Sequence, residues 1–266
     1  MFSKTEDNLN LYYEVTGNPD APKTLVFLNG LSQSTLAWAF VVPYLKKDYK
    51  IILLDFIFQG QSDKKSEIRD FDQHAKDVKC VIDDLKIEKI NIIGLSYGSL
   101  VAQHFALLFP ERLEKMILMS TFAHKTPYFE AIEIAWGRAL EIGGYPLLFD
   151  IMLPSVLGED YFKNPIIPIE LLRQARADAN NDASALYKLM HATKDRTDYR
   201  EEIKSITTPT LIIHGEKDLL LPYHMAAEVH KAIPNSKLEV IPNVGHTLNL
   251  EAVQQSLVLI KRFLEE

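Results

Sequence analysis

Asn91-Ile-Ile-Gly94-Leu-Ser96-Tyr-Gly98-Ser99 decides how the rest of this chain is read. The apolar residues Ile90, Ile92 and Ile93 lead into it and predict a buried strand. The apolar stretch Leu100 to Phe109 leads out and predicts a helix. Between them lies a G-x-S-x-G match. A sharp strand-to-helix turn at that point strains the backbone at the serine and presents its hydroxyl at the C-terminal edge of a sheet. The flanking positions need glycine because neighbouring backbone comes too close for a Cβ. The pattern therefore predicts a nucleophile at Ser96. That reading requires the chain to supply a base, an orienting acid and an oxyanion hole.

Outward from the turn, buried runs alternate with amphipathic ones. Leu9–Val15, Thr24–Leu28, Lys50–Asp55, Lys115–Met119, Pro209–His214 and Lys237–Ile241 read as strands. Ala75, Val78, Ile82 and Leu85 fall on one helical stripe. So do Val253, Leu257, Ile260 and Leu264 in the last helix, about Glu251 to Leu264. A further helix is expected from about His224 to Ile233, and another with Leu36, Ala37, Phe40, Val41, Tyr44 and Leu45 on one stripe. In the helix after Ser96, Gly98, Ala102 and Ala106 form a ridge of small side chains that lets it lie close on a sheet. This rhythm predicts an α/β fold with a mostly parallel sheet covered by helices on both faces. It breaks between residues 122 and 205, where the composition turns helical and aromatic. The expected organisation is a core of residues 1–121 and 206–266, with 122–205 inserted as a helical cap over the edge that carries Ser96.

Chain order on such a sheet calls for Ser, then Asp or Glu, then His. Asp218 follows the Pro209–His214 strand in His214-Gly-Glu-Lys-Asp218, and His246 follows the last strand in Asn243-Val-Gly-His246. Glu216 is the local competitor for the acid, but it stands nearer the strand end and reads as part of the turn. The other place for an acid, after Lys115–Met119, reads Ser120-Thr-Phe122 and offers no carboxylate. The oxyanion hole would use the backbone amides of Tyr97, next to the nucleophile, and of Leu31, in the loop that Gly30 allows to turn sharply. Asn29, Phe122 and Trp136 are candidates for substrate contact. Each residue alone has an ordinary explanation as a surface histidine, a turn cap or a loop glycine. Their joint occurrence at the ends of successive strands favours chemistry. His104 reads as a core histidine inside the helix after Ser96, and His214 as a strand end. His124 and His191 belong to the insertion.

Together these segments resemble the α/β-hydrolase superfamily over nearly the whole chain. The resemblance runs through Leu25-Val-Phe-Leu-Asn-Gly-Leu31, Asp55 with Gly60-Gln-Ser62, Gly94-Leu-Ser-Tyr-Gly98, Phe109-Pro-Glu-Arg112, Gly215-Glu-Lys-Asp218 and Gly245-His246. Within it the chain is similar to small capped esterases and lactonases, including enol-lactone hydrolases. The resemblance implies an eight-stranded sheet with its first strand pairs antiparallel. Asn29 replaces the usual histidine of the oxyanion loop. Ile57 and Phe58 replace the usual arginine and glycine after the fourth strand, which makes that wall more apolar. Serine rather than aspartate as nucleophile sets the chain apart from the haloalkane dehalogenase branch.

The expected activity is hydrolysis of a small-molecule carboxylic ester, lactone or thioester through an acyl-enzyme on Ser96. Acyl transfer to another acceptor and a hydrolase-like small-molecule receptor are the alternatives on the same scaffold. The net charge of −7 gives no basic footprint for nucleic acid. No His/Cys/carboxylate cluster has metal-ligand spacing, and no phosphate loop follows a strand, so no cofactor is expected. The single cysteine, Cys80, and the polar segment Met1–Asn10 predict a cytoplasmic protein. No stretch is expected to span a membrane. Oligomeric state and natural substrate are not legible in the sequence.

Overall fold

The computed structural model describes residues 1–180 and 182–266. Eight strands form one sheet: β1 (Phe2–Lys4), β2 (Asn10–Gly17), β3 (Thr24–Leu28), β4 (Lys50–Leu54), β5 (Ile90–Leu95), β6 (Leu113–Met119), β7 (Thr210–Gly215) and β8 (Ser236–Ile241). Their spatial order is β1-β2-β4-β3-β5-β6-β7-β8. The β1–β2 and β2–β4 pairs are antiparallel and every later pair is parallel. This is the α/β-hydrolase topology. The three-residue β1 is too short to leave a pattern in the sequence.

Successive strand residues point to opposite faces, and the sheet divides its core accordingly. Val26, Leu28, Ile52, Leu54 and Ile92 pack on one face with helices α1 (Phe71–Asp84) and α2 (Tyr97–Leu108). Leu25, Phe27, Ile51, Leu53 and Ile93 pack on the other with Trp38 and the last helix. Because both faces are covered, β3, β5 and β7 are buried at every position and show no alternation. After β7 come α7 (Tyr223–Ala232), the short α8 (Leu248–Glu251) and α9 (Val253–Glu265). Leu257, Ile260 and Leu264 of α9 lie in the second face's core.

The stripe expected over Leu36–Leu45 is corrected. Two 3₁₀ turns, Thr35–Trp38 and Val42–Tyr44, stand where an α-helix was expected. Leu36 is 78% exposed and Tyr44 52%, whereas Trp38, Val41 and Leu45 are buried. Pro43 has no N–H to continue an α-helical ladder. The indole N–H of Trp38 donates to the Asn29 side chain at 2.8 Å, which draws the tryptophan inward.

Between β6 and β7 the elements are α3 (Pro127–Val156), α4 (Glu159–Lys163), α5 (Ile169–Ala179) and α6 (Ala183–Asp195), with no strand among the described residues. By length and composition α3 is apolar enough to cross a membrane, contrary to the expectation that no stretch would be. It is not one rod. Gly144 breaks it at φ 63°, ψ −162°, a conformation open essentially to glycine alone, and Pro146 follows. Neither half reaches the roughly 20 residues that a span needs. The buried side chains Trp136, Leu140, Tyr145 and Phe149 face the rest of the protein.

Candidate active site

Ser96 sits between β5 and α2 at φ 51°, ψ −112°. Its amide donates to the Met119 carbonyl at 2.8 Å, which ties the turn to β6. A non-glycine backbone held there costs about 1–3 kcal/mol, and the surroundings must enforce it. They do so by close packing. A Cβ on Gly94 would stand 2.4 Å from the Gly98 carbonyl oxygen, and one on Gly98 would stand 2.2 Å from that of Leu28. The Ser99 hydroxyl donates to the Ser96 carbonyl at 2.6 Å and closes the turn from inside the helix.

His246 and Asp218 arrive from the loops after β8 and β7. His246 Nδ1 lies 2.7 Å from Asp218 Oδ2, and both side chains are buried. Asp218 Oδ1 accepts the amides of Leu220 at 3.0 Å and Leu221 at 2.8 Å. With Asp218 accepting on both oxygens, Nδ1 is the donor of the pair and Nε2 keeps a free lone pair. Glu216 is occupied elsewhere, accepting the Asn243 amide at 3.0 Å across the turn.

The backbone around His246 is gripped by two groups that the sequence did not single out. The Ser120 hydroxyl, at the end of β6, donates to the His246 carbonyl at 2.8 Å. Glu251 accepts three amides: Gly158 at 2.8 Å, Gly245 at 3.0 Å and Thr247 at 3.0 Å. One carboxylate thus holds both neighbours of His246 and the peptide that joins α3 to α4. Burial pushes its pKa up, against these three bonds. Glu251→Ala leaves three inward-facing donors unpaired, at about 1 kcal/mol each. It should lower Tm by roughly 6–12 °C and ester turnover by about tenfold, with Glu251→Gln intermediate. Differential scanning calorimetry and steady-state kinetics check this.

Leu31 and Tyr97 border the same cavity as Ser96 and His246. Neither amide has a protein acceptor among the described hydrogen bonds, so both are free to donate into it. Gln59 sets the loop. Its Nε2 donates to the carbonyls of Gly30 at 2.8 Å and Leu31 at 3.0 Å. The expectation of substrate contact at Asn29 is corrected. Its side chain is fully buried, donating to the Leu54 carbonyl at 2.8 Å and accepting from Trp38, and it does not line the cavity. Phe58, where a glycine is usual, keeps a positive φ of 82°. The left-handed backbone survives the substitution, with the ring buried and the Lys188 ammonium 5.4 Å from its centre.

Phe122 and Trp136 do line the cavity, with Tyr145, Phe149 and Met152 of α3. His104 is a satisfied core histidine: Nδ1 lies 2.6 Å from Asp72 Oδ1, and Nε2 accepts from Arg196 at 3.3 Å. Burial pushes its pKa down to about 4. His214 is the penultimate residue of β7, buried with neither ring nitrogen hydrogen-bonded among the described residues. Neither His124 nor His191 reaches the cavity. Among the described residues no three His, Cys, Asp or Glu side chains are arranged to hold a metal ion.

A strand-order 1-2-4-3-5-6-7-8 sheet with a strained serine between β5 and α2 defines an α/β-hydrolase. The comparisons agree. The family described as alpha/beta hydrolase fold matches residues 23–145 and 160–253. The AB hydrolase superfamily protein YisY of Bacillus subtilis is 30% identical, covering 98% of each chain. MGS-M2, an alpha/beta hydrolase enzyme from a Medee basin deep-sea metagenome library, superposes with a TM-score of 0.91 at 25% identity, over 100% of this chain and 98% of that one. The enol-lactonase from Burkholderia xenovorans LB400 gives 0.89 at 23% identity, over 100% of both. The chain belongs to the α/β hydrolase fold family.

Proposed function

We propose that this protein is a serine hydrolase that cleaves a carboxylic ester, lactone or thioester. The observation that carries the reading is the buried His246–Asp218 pair at 2.7 Å, whose imidazole borders one cavity with the strained Ser96. On this reading His246 Nε2 takes the Ser96 proton as Oγ attacks the carbonyl carbon. The amides of Leu31 and Tyr97 stabilise the tetrahedral oxyanion, and His246 returns the proton to the leaving group. Water, deprotonated by the same imidazole, then releases the acid from the acyl-enzyme. Residues 122–205 act as a cap over a core of 1–121 and 206–266, and the aromatic wall from Phe122 and Trp136 favours the apolar part of the acyl group. We also place the protein in a reducing, cytoplasmic compartment, a reading supported by the unpaired thiol of Cys80.

Purified protein should hydrolyse 4-nitrophenyl acetate and butyrate and take a fluorophosphonate label on Ser96, located by peptide mass spectrometry. Ser96→Ala should do neither. Wild-type protein that is folded and resists the label would remove the reading.

A further inference from the structure

The cavity above Ser96 is walled mainly by apolar side chains, and one of its few charged ones asks for a ligand. Arg176, on α5, lines it. Its Nη1 donates to the Ser32 carbonyl at 3.0 Å, its one hydrogen bond to protein among the described residues. A guanidinium has five N–H donors and stays charged in proteins. No carboxylate lies within ion-pair distance of it among the described residues.

The chain's other arginines show how this differs from the ordinary case. Arg69, which is buried, is held between Asp7 and Asp77. Arg196, buried without a carboxylate, has its fork filled by neutral acceptors: the Ala123 carbonyl, Gln103 Oε1 and His104 Nε2. Arg138, without an ion pair, is exposed to water. Arg176 alone lacks a counter-ion, a filled fork and open exposure together. Glu133 also reaches the cavity wall, but Lys125 holds its carboxylate at 3.4 Å. Arg176 is half-buried, so its charge is partly withdrawn from water with no partner to compensate it. Burial holds the Arg176 pKa below the ordinary arginine value, in keeping with a charge left uncompensated.

We propose that the substrate brings the missing partner: its acyl portion ends in a carboxylate, and Arg176 receives it. The proposal rests on the serine hydrolase reading and narrows it to half-esters or lactones of dicarboxylic acids. A planar carboxylate suits a guanidinium fork, which can hold it through two parallel bonds. Arg176 and Ser96 line the same cavity, so a short acyl chain is to bridge them, and a glutaryl group serves as the probe.

Two substrates that differ in one charge test it: 4-nitrophenyl hydrogen glutarate and its neutral methyl ester. Wild-type kcat/KM should favour the anion by at least tenfold, and Arg176→Ala should lower the anion-to-neutral ratio about 100-fold. Arg176 also ties down Ser32, a purely structural role that would depress both substrates alike and leave the ratio standing. Asn180→Ala serves as the control, since Asn180 Nδ2 donates to the same carbonyl at 3.1 Å; it should not move the ratio. Equal wild-type use of the two esters, or an unchanged ratio in Arg176→Ala, overturns the proposal. Calorimetry with Ser96→Ala separates this from failure of the hydrolase reading. Monomethyl glutarate should bind and dimethyl glutarate should not, and Arg176→Ala added to that variant should abolish the difference. Binding of that pattern without turnover in the wild type upholds Arg176 and removes the hydrolase. Turnover without discrimination does the reverse.

Discussion

Asp218→Asn is expected to lower kcat for an activated ester by about 10⁴-fold while leaving the protein folded. The amide is nearly isosteric with the carboxylate. Its oxygen can go on accepting the Leu220 and Leu221 amides, which now meet Oδ1 at 3.0 and 2.8 Å. Its NH₂ then faces His246 Nδ1, where the carboxylate oxygen stands at 2.7 Å. A donor there forces the imidazole proton onto Nε2, and the base facing Ser96 becomes a donor. The loop geometry persists and the chemistry does not, so the loss should fall on kcat. Fluorophosphonate labelling should slow in parallel, because it uses the same proton transfer. Glu216→Gln is the matched comparison. That carboxylate accepts the Asn243 amide and should change kcat by less than about threefold. Equal effects from the two substitutions would remove Asp218 from its role.

The fold was legible because parallel strands buried on both faces are apolar at nearly every position, and β3, β5 and β7 are buried throughout with only Thr24, Asn91, Thr210 and His214 polar. Their order in space, with β4 between β2 and β3, is not written in the pattern of any one segment. The stretch Thr35–Leu45 was misread because Leu36, Phe40 and Tyr44 have helical spacing, yet proline chemistry and the Asn29–Trp38 bond decide the outcome. Ser96, Asp218 and His246 stand out as candidates because the chemistry proposed for them dictates residue types at strand ends. Gln59, Ser120 and Glu251 do not, because each acts on a backbone group, and backbone groups leave no signature in a sequence. Gln59 gave the faintest signal, lying in the loop where Ile57 and Phe58 already depart from the usual pattern. Arg176 could not have been found at all. An arginine on an amphipathic helix looks solvated until the helix is placed over a cavity.

The same substitution at two glycines separates the elbow's geometry from its composition. Gly98→Ala is expected to be among the most damaging changes of a single methyl group in this protein. The added Cβ would lie 2.2 Å from the Leu28 carbonyl oxygen and 2.8 Å from that of Asn29. Both obstacles are backbone, so neither can swing aside as a side-chain tip would. Either α2 lifts from the end of β3 or the Asn29–Leu31 segment is pushed outward, by about 1 Å in either case. The first moves Ser96 and the Tyr97 amide; the second moves the Leu31 amide. Overpacking of this kind costs about 1–3 kcal/mol, which in a chain of this size lowers Tm by roughly 3–10 °C. A displacement of 1 Å at the reacting groups costs about 10² in rate. Gly137 on α3 has nothing within 4 Å of where a Cβ would go. Gly137→Ala should therefore gain about 0.5–1 kcal/mol from helix propensity and leave the ester rate unchanged. Thermal melts and 4-nitrophenyl butyrate kinetics on the two variants decide the matter. If Gly98→Ala kept wild-type rate and stability, close approach of α2 to β3 would not be what holds Ser96 in its strained conformation.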